Sequence, residues 1–323
     1  MDLESLIDPD IRPLLAEFGD FRLTPDNLAA MRSRPIVQPV PLSDEVERVD
    51  HVVPGPKGAP DVVVRVHRPR GATGPLPCVY SIHGGGYVMG SYTGDDVRFD
   101  SWCLRHRCIG VSVEYRLAPE TPYPGPLEDC YAGLAWVHEH TEELGVDPAR
   151  TGIMGASAGG GLAAGLALLA RDRGVLPVAF QLLIYPMLDD RQTSPSSRVE
   201  APIWNPAANE FGWRSYLGPL YGTDDTPPYA AASRATDLSG LPPGYVMVGT
   251  IDGFHDEDVD YALRLNQAGV PTELHVYAGA PHGFDNMMTG APVAKRARRA
   301  MNEWLERRLH ATDAAPPSTM RSR

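Results

Sequence analysis

The chain's most reactive arrangement of residues is Gly155-Ala156-Ser157-Ala158-Gly159, a G-x-S-x-G directly after an apolar run and directly before a helical one. A serine on such a tight strand-to-helix turn is exposed and strained, and its neighbours must be small for strand and helix to approach. Gly160 and Gly161 continue the small series. The helix then begins at the serine, where free N–H groups and the helix dipole favour developing negative charge. The alternative is a glycine-rich turn that only permits packing.

A second run, His83-Gly84-Gly85-Gly86, closes the apolar segment Cys78 to Ile82. Three glycines leave backbone N–H groups unblocked, which suits an oxyanion at a tetrahedral acyl-transfer intermediate. The hole is assigned to the backbones of Gly84, Gly85 and Ala158, and His83 is expected to orient the loop. A phosphate-binding loop would need a G-x-x-x-x-G-K-[ST] pattern, which is missing.

A nucleophilic serine needs a base, and the base an orienting carboxylate. Of ten histidines, His282 alone follows the last strand candidate in a loop, Gly279-Ala280-Pro281-His282-Gly283-Phe284, and completes the order Ser, Asp, His. His51, His67, His106, His138, His140 and His310 fall on strand or helix bodies or near the end, and His275 alternates within a strand. The acid is expected after the Tyr245–Val248 run. Asp252 is closest to its end. Asp256 is the second candidate, though it also suits the N-cap of the helix that follows. The other carboxylates there read as first-turn helix charges.

Strand candidates lie at Val62–Val66, Cys78–Ile82, Ile109–Val113, Thr151–Met154, Phe180–Tyr185, Tyr245–Val248 and Leu274–Tyr277. Several are almost wholly apolar, as parallel strands covered on both faces are. Helical segments alternate with them at Val97–Leu104, Leu127–His140, Gly160–Arg173, Asp258–Gln267 and Val293–Leu309. The pattern predicts an α/β fold with a mostly parallel, doubly covered sheet. The basic run Lys295 to Arg308 has its apolar members at helical spacing and reads as a solvated amphipathic helix.

Two segments break the alternation. Residues 1–45 read as helical and proline-punctuated, with Thr24-Pro25-Asp26 resembling an N-cap followed by proline at the first helical position. Residues 189–236 are rich in Pro, Ser and aromatics. Long insertions in compact domains usually serve as lids or binding elements. Both are expected to form a helical cap over core segments 46–188 and 237–310, with 311–323 a disordered tail. Tyr87, Trp204, Phe211 and Trp213 are the candidate substrate-binding residues.

Composition limits the partners. The 323 residues carry a net charge of −12, which argues against nucleic acid or an anionic membrane. The longest small-apolar stretch, Gly161 to Ala170, is half of what a membrane crossing needs. Met1 to Asp20 begins acidic, without the apolar core of a secretory signal. Cys78, Cys103, Cys108 and Cys130 lack metal or disulfide spacing, so reduced thiols in a cytoplasm are expected. No metal or cofactor is called for.

These residues together resemble the hormone-sensitive lipase family of α/β hydrolases, in particular its bacterial esterases, over about His51 to Leu309. The motifs that carry the resemblance include His83-Gly84-Gly85-Gly86; Glu114-Tyr115-Arg116-Leu117-Ala118-Pro119-Glu120; and Pro126-Leu127-Glu128-Asp129. The G-x-S-x-G, Asp237-Leu238-Ser239-Gly240-Leu241-Pro242-Pro243, Asp252 and His282-Gly283-Phe284 follow in order. The resemblance implies an eight-stranded sheet, a helical cap, a Ser157, Asp252, His282 triad and hydrolysis of short-chain esters. It also implies a homodimer through the last strand and helix. Three positions depart from the family's pattern: Ala156 stands where Asp or Thr is usual, Gly161 where Asn is frequent, and Asp252-Gly253-Phe254 where Asp-Pro-Leu is typical. A deacetylase or lactone hydrolase dedicated to one metabolite would use the same groups, and a non-catalytic ligand-binding relative would lose one of them.

Overall fold

The computed structural model describes residues 3–16, 22–33 and 40–310. The expected tail at 311–323 lies outside them. Eight strands form one sheet: β1 (Val46–Val53), β2 (Val62–Pro69), β3 (Leu76–Ile82), β4 (Ile109–Glu114), β5 (Val146–Ala156), β6 (Gln181–Ile184), β7 (Gly244–Ile251) and β8 (Thr272–Pro281). Their order is β1-β2-β4-β3-β5-β6-β7-β8, with β2 antiparallel to both neighbours and every pair from β4 to β8 parallel. The seven strands expected from apolar runs are present. β1 is the eighth: at the sheet edge its burial pattern alternates poorly, so Glu47, Arg48, Asp50 and His51 mask it.

The helices among the described residues are α1 (Leu3–Leu6), α2 (Arg12–Leu15), α3 (Leu28–Arg32), α4 (Asp96–His106), α5 (Gly125–Glu139), α6 (Thr141–Leu144), α7 (Ala158–Arg173), α8 (Pro206–Leu217), α9 (His255–Gln267), α10 (Phe284–Met287) and α11 (Pro292–Leu309). Strand alternation divides the core in two. Cys78, Tyr80 and Ile82 of β3 face a cluster with Leu134 of α5, Leu162 and Leu166 of α7 and Leu265 of α9. Val79, between them, faces a second cluster with Phe99 of α4 and Ala297, Met301 and Trp304 of α11. Both faces are therefore covered, which is why β3 is buried along its whole length. The small residues of α7 let it pack close: Ala158 to Ala170 are all buried.

The N-terminal region departs from its expected form. Its described part holds helices of only four or five residues, and α3 starts at Leu28, later than the Thr24-Pro25 signal suggested. The Asn27 side chain accepts from the Thr24 N–H at 2.8 Å, making a turn where an N-cap was expected. The region also divides in space. Asp8 donates its N–H to the Gly279 carbonyl at 3.0 Å, and Ile11 is buried with Ala280 and Phe284. Arg32, by contrast, donates to the Val88 and Ala118 carbonyls at 2.7 and 2.9 Å. α8 packs Trp213 and Tyr216 into the cluster that holds Tyr87.

Candidate active site

The parallel strands deliver their C-terminal ends to one edge of the sheet, and there β5, β6, β7 and β8 bring distant residues together. Ser157 follows β5 with φ +59° and ψ −125°, a conformation that costs an L-residue about 1–3 kcal/mol and persists only where its surroundings enforce it. The Ser157 N–H donates to the Ile184 carbonyl, and the Ser157 carbonyl accepts from the Gly161 and Met187 N–H groups. Close packing explains the glycines: a Cβ at Gly155 would collide with the Gly159 carbonyl, and one at Gly159 with that of Ile82.

Ser157, His282 and Asp252 form a continuous hydrogen-bonded chain. The Ser157 hydroxyl lies 2.9 Å from His282 Nε2, and His282 Nδ1 lies 2.8 Å from Asp252 Oδ2. A carboxylate only accepts, so Nδ1 carries the imidazole proton and Nε2 is free to accept from the hydroxyl. Asp252 Oδ1 accepts from the Phe254 N–H at 3.0 Å, which fixes the carboxylate's orientation. All three side chains are buried, so water does not compete strongly for these bonds. Phe254 and Tyr185 meet the imidazole edge-on, at 5.1 and 4.6 Å between centroids.

Asp256 is excluded from this chain. It lies in the first turn of α9, where its carboxylate accepts from the Ser196 N–H at 2.9 Å and contacts His255 Nδ1 at 2.8 Å. It is also not the N-cap expected for it, since α9 starts at His255 after Phe254. The neighbouring acids do lie in the first turn of α9, as expected, but they face the interior. Glu257 is buried and accepts from the Leu188 and Asp189 N–H groups at 2.8 and 3.1 Å, anchoring the start of the 189–236 segment. Asp258 is fully buried, and among the described residues neither carboxyl oxygen has a hydrogen-bond partner. Burial pushes both carboxyls well up. Their spacing on α9 (i, i+4, i+5 with Tyr261 and Ala262) places them on its inner face, a signal available in the sequence.

The glycine run lies beside the serine. A Cβ at Gly84 would sit 2.7 Å from the Ala156 carbonyl oxygen and 3.3 Å from Ser157 Cβ. Gly85 adopts φ +123°, which favours glycine. Among the described residues, neither Gly84 nor Gly85 donates its N–H within the protein, and Ala158 begins α7, where an N–H has no intrahelical acceptor. His83 supports this loop: its ring stacks on Tyr115 at 4.2 Å, and its Nδ1 lies 2.9 Å from the Gly84 carbonyl. Tyr115 in turn donates to the His83 carbonyl. Burial pushes the His83 imidazole down to about 4, so it is neutral at neutral pH. The Tyr115–Arg116 segment is held by Asp129 on α5, which accepts from the Arg116 backbone and guanidinium at 2.7–3.0 Å.

The candidate substrate-binding residues separate into two groups. Trp204 lies over Gly86, where an added Cβ would strike its ring, and its ring centroid is 6.4 Å from that of His282. Its Nε1 donates to Asn209 Oδ1 at 3.2 Å. Phe211 is half-buried on α8. Tyr87 and Trp213 are wholly buried, however. Tyr87 stacks on Tyr216 at 4.1 Å and donates its hydroxyl to the Met187 carbonyl. The structure places both rings in the packing behind the serine turn, with no face of either left open to solvent.

Comparison with known proteins bears on the fold and the family. A family model described as alpha/beta hydrolase fold matches residues 79–286, a span that contains the serine, aspartate and histidine. Carboxylesterase NlhH of Mycobacterium tuberculosis is 37% identical over 310 residues, covering 94% of this chain and 97% of that protein. Esterase LipI of the same organism is also 37% identical, over 90% and 92% of the two chains. Among solved structures, a bacterial heroin esterase superposes with a TM-score of 0.84 at 40% identity, over 94% of this chain and 98% of its own. Esterase LipW from Mycobacterium marinum superposes at 0.83 with 34% identity, over 96% and 98%. With the sheet, the strand-end serine turn and the motifs in order, this chain belongs to the α/β-hydrolase family, in its hormone-sensitive-lipase-like group.

Proposed function

We propose that the protein is a serine carboxylesterase acting on small-molecule esters of short- to medium-chain acids. The observation that carries this reading is the buried chain from Ser157 Oγ through His282 to Asp252 beside the unblocked Gly84 and Gly85 backbone. Relatives named as a carboxylesterase and an esterase over nearly the whole chain support the reaction class.

His282 Nε2 accepts the Ser157 proton as Oγ attacks the ester carbonyl, and Asp252 stabilises the imidazolium without taking its proton. The tetrahedral oxyanion is held by the N–H groups of Gly84, Gly85 and Ala158. His282 then gives the proton to the departing alkoxide, leaving an acyl group on Ser157. Water repeats the cycle: His282 takes its proton, the hydroxide adds to the acyl carbon, and Ser157 leaves reprotonated as the acid is released.

The described parts of residues 1–45, together with 189–236, act as a cap, and Trp204 against Gly86 favours short acyl groups. A homodimer through β8 and α11 belongs to the same reading, supported by the outer edge of β8, which among the described residues pairs only with β7. The four cysteines are free and buried, which suits a reducing cytoplasm. Among the described residues no helix is long and apolar enough to cross a membrane.

The test is hydrolysis of p-nitrophenyl esters from acetate to palmitate by wild type and Ser157→Ala. Short chains should be cleaved, and the variant should lose roughly 10⁴–10⁶ in turnover. A folded variant retaining most of the activity would refute the nucleophile. A wild type inactive on the whole series but active on acetylated metabolites or lactones would favour a dedicated hydrolase.

A further inference from the structure

His282 is held from more sides than a proton relay through Asp252 requires. Tyr185, just beyond β6, sets its ring against the imidazole in a T-shaped contact, 4.6 Å between centroids at 62°. Its hydroxyl donates to Asp285 Oδ1 at 2.7 Å, and both side chains are buried. Asp285 lies three residues after His282, in the first turn of α10. The ring of Tyr185, in contact with the imidazole, is therefore tied to a carboxylate on the histidine's own loop.

The backbone at Tyr185 indicates that the ring's place is enforced. Its φ is +35°, in the left-handed region that side chains other than glycine rarely adopt. Two neighbours hold it there. The Tyr185 N–H donates to the Met247 carbonyl at 2.7 Å, and Pro186 follows, packed so closely on α7 that a Cβ at Gly160 would sit 2.8 Å from its Cβ. On the far side, Arg298 of α11 donates to the carbonyls of Asp285 and Thr289 at 2.9 and 2.6 Å. Burial and the adjacent Asp285 keep the phenol protonated, so it remains a donor. Loss of the hydroxyl would leave a buried carboxylate oxygen short of a partner, three residues from the base, and the loop would shift to resolve it.

We propose that Tyr185 and Asp285 are positioning residues for His282: the Tyr185 hydroxyl, anchored on Asp285, holds the ring as a wall that keeps Nε2 aligned with Ser157 Oγ. Neither residue touches the reacting atoms. The inference rests on His282 being the general base, so Ser157→Ala is run in parallel. If that variant keeps its activity, the esterase mechanism fails; if it is inactive while the Tyr185 variants are unaffected, only the present inference fails.

The experiment measures kcat and KM on p-nitrophenyl acetate, the rate at which a fluorophosphonate labels Ser157, and Tm. Tyr185→Phe should lower kcat and the labelling rate together by roughly tenfold, because small misplacements of a reacting pair are costly, with KM within about twofold. Asp285→Asn, which retains an acceptor oxygen for the phenol, should lose less than Asp285→Leu. The Tyr185→Phe/Asp285→Leu double variant should be no slower than Asp285→Leu alone, since both remove one interaction. The inference is overturned if Tyr185→Phe keeps kcat within twofold of wild type. A fall confined to KM and Tm with an unchanged labelling rate would also overturn it, as would losses that multiply in the double variant. Should Tyr185→Phe fail to fold, the Asn-versus-Leu comparison at Asp285 decides: equal losses refute the inference.

Discussion

The strand-end site and the segments above it are built in opposite ways. At the site, each functional group sits one to a few residues beyond a parallel strand: Ser157 after β5, Asp252 after β7, His282 after β8 and Gly84 after β3. Backbone hydrogen bonds between strands set their relative positions, and side chains complete the last few ångströms. Above the site, residues 22–33 and 189–236 have no strand to index them. They are attached by individual side chains: Arg32 on the Val88 and Ala118 carbonyls, Glu257 on the Leu188 and Asp189 N–H groups, and Asp256 on the Ser196 N–H. On the proposed reading, chemistry is placed on the rigid ladder, and substrate selection on parts whose anchors are local and replaceable. Changes to the first should affect turnover on every ester. Changes to the second should redistribute activity among esters.

The sharpest test of that division is Asp252→Asn. It preserves shape but permits the wrong imidazole tautomer, so kcat should fall by roughly 10³–10⁴ on all acyl lengths alike. A loss that varied with acyl length would blur the distinction. Next comes Gly84→Ala, whose methyl group would press on the Ala156 carbonyl oxygen and Ser157 Cβ. Displacing one oxyanion donor should cost about 10²–10³ in kcat, again irrespective of chain length.

The cap side predicts a different signature. Trp204→Ala removes the ring that lies over Gly86. Its effect should be roughly tenfold on kcat/KM and depend on substrate, with longer acyl chains gaining relative to acetate. Uniform loss across the ester series would assign Trp204 to the rigid part instead.

The smallest effect concerns stability. His83 is neutral in the fold, its imidazole pushed by burial down to about 4. Between the ordinary histidine value near 6.5 and about 4, the unfolded chain binds a proton that the native state refuses. Stability contributed by this group is therefore complete above pH about 6.5 and declines as pH falls through that window, by an amount on the order of 3 kcal/mol at most. Denaturant midpoints for wild type and His83→Gln should diverge less at pH 4.5 than at pH 7.5. An equal gap at both would mean that His83 titrates normally.

Much of the candidate site was legible because its signals are local. A G-x-S-x-G between an apolar strand and a helix, a glycine triplet at a strand end and a histidine in the last βα loop each announce themselves within a few residues. The choice between Asp252 and Asp256 was not local in the same sense. Both fit a carboxylate after β7, and the structure separates them by whether they face His282 or Ser196. Likewise β1 was hidden: an edge strand has solvent on several sides, so its charged residues carry no burial pattern, and only pairing with β2 identifies it. The Thr24-Pro25 helix signal failed because the Asn27 side chain met the Thr24 N–H and made a turn.

Sequence alone determined the α/β alternation and where the strand-end serine turn, the glycine run and the loop histidine fall, since strands, turns and helix starts follow from local sterics and hydrophobic period. Only the tertiary structure decided that Tyr87 and Trp213 are buried packing while Trp204 overlies Gly86, and that Tyr185 meets His282. Those outcomes depend on which surfaces exclude water from one another after the chain closes, and residues far apart in sequence carry no record of that contact in their own neighbourhoods.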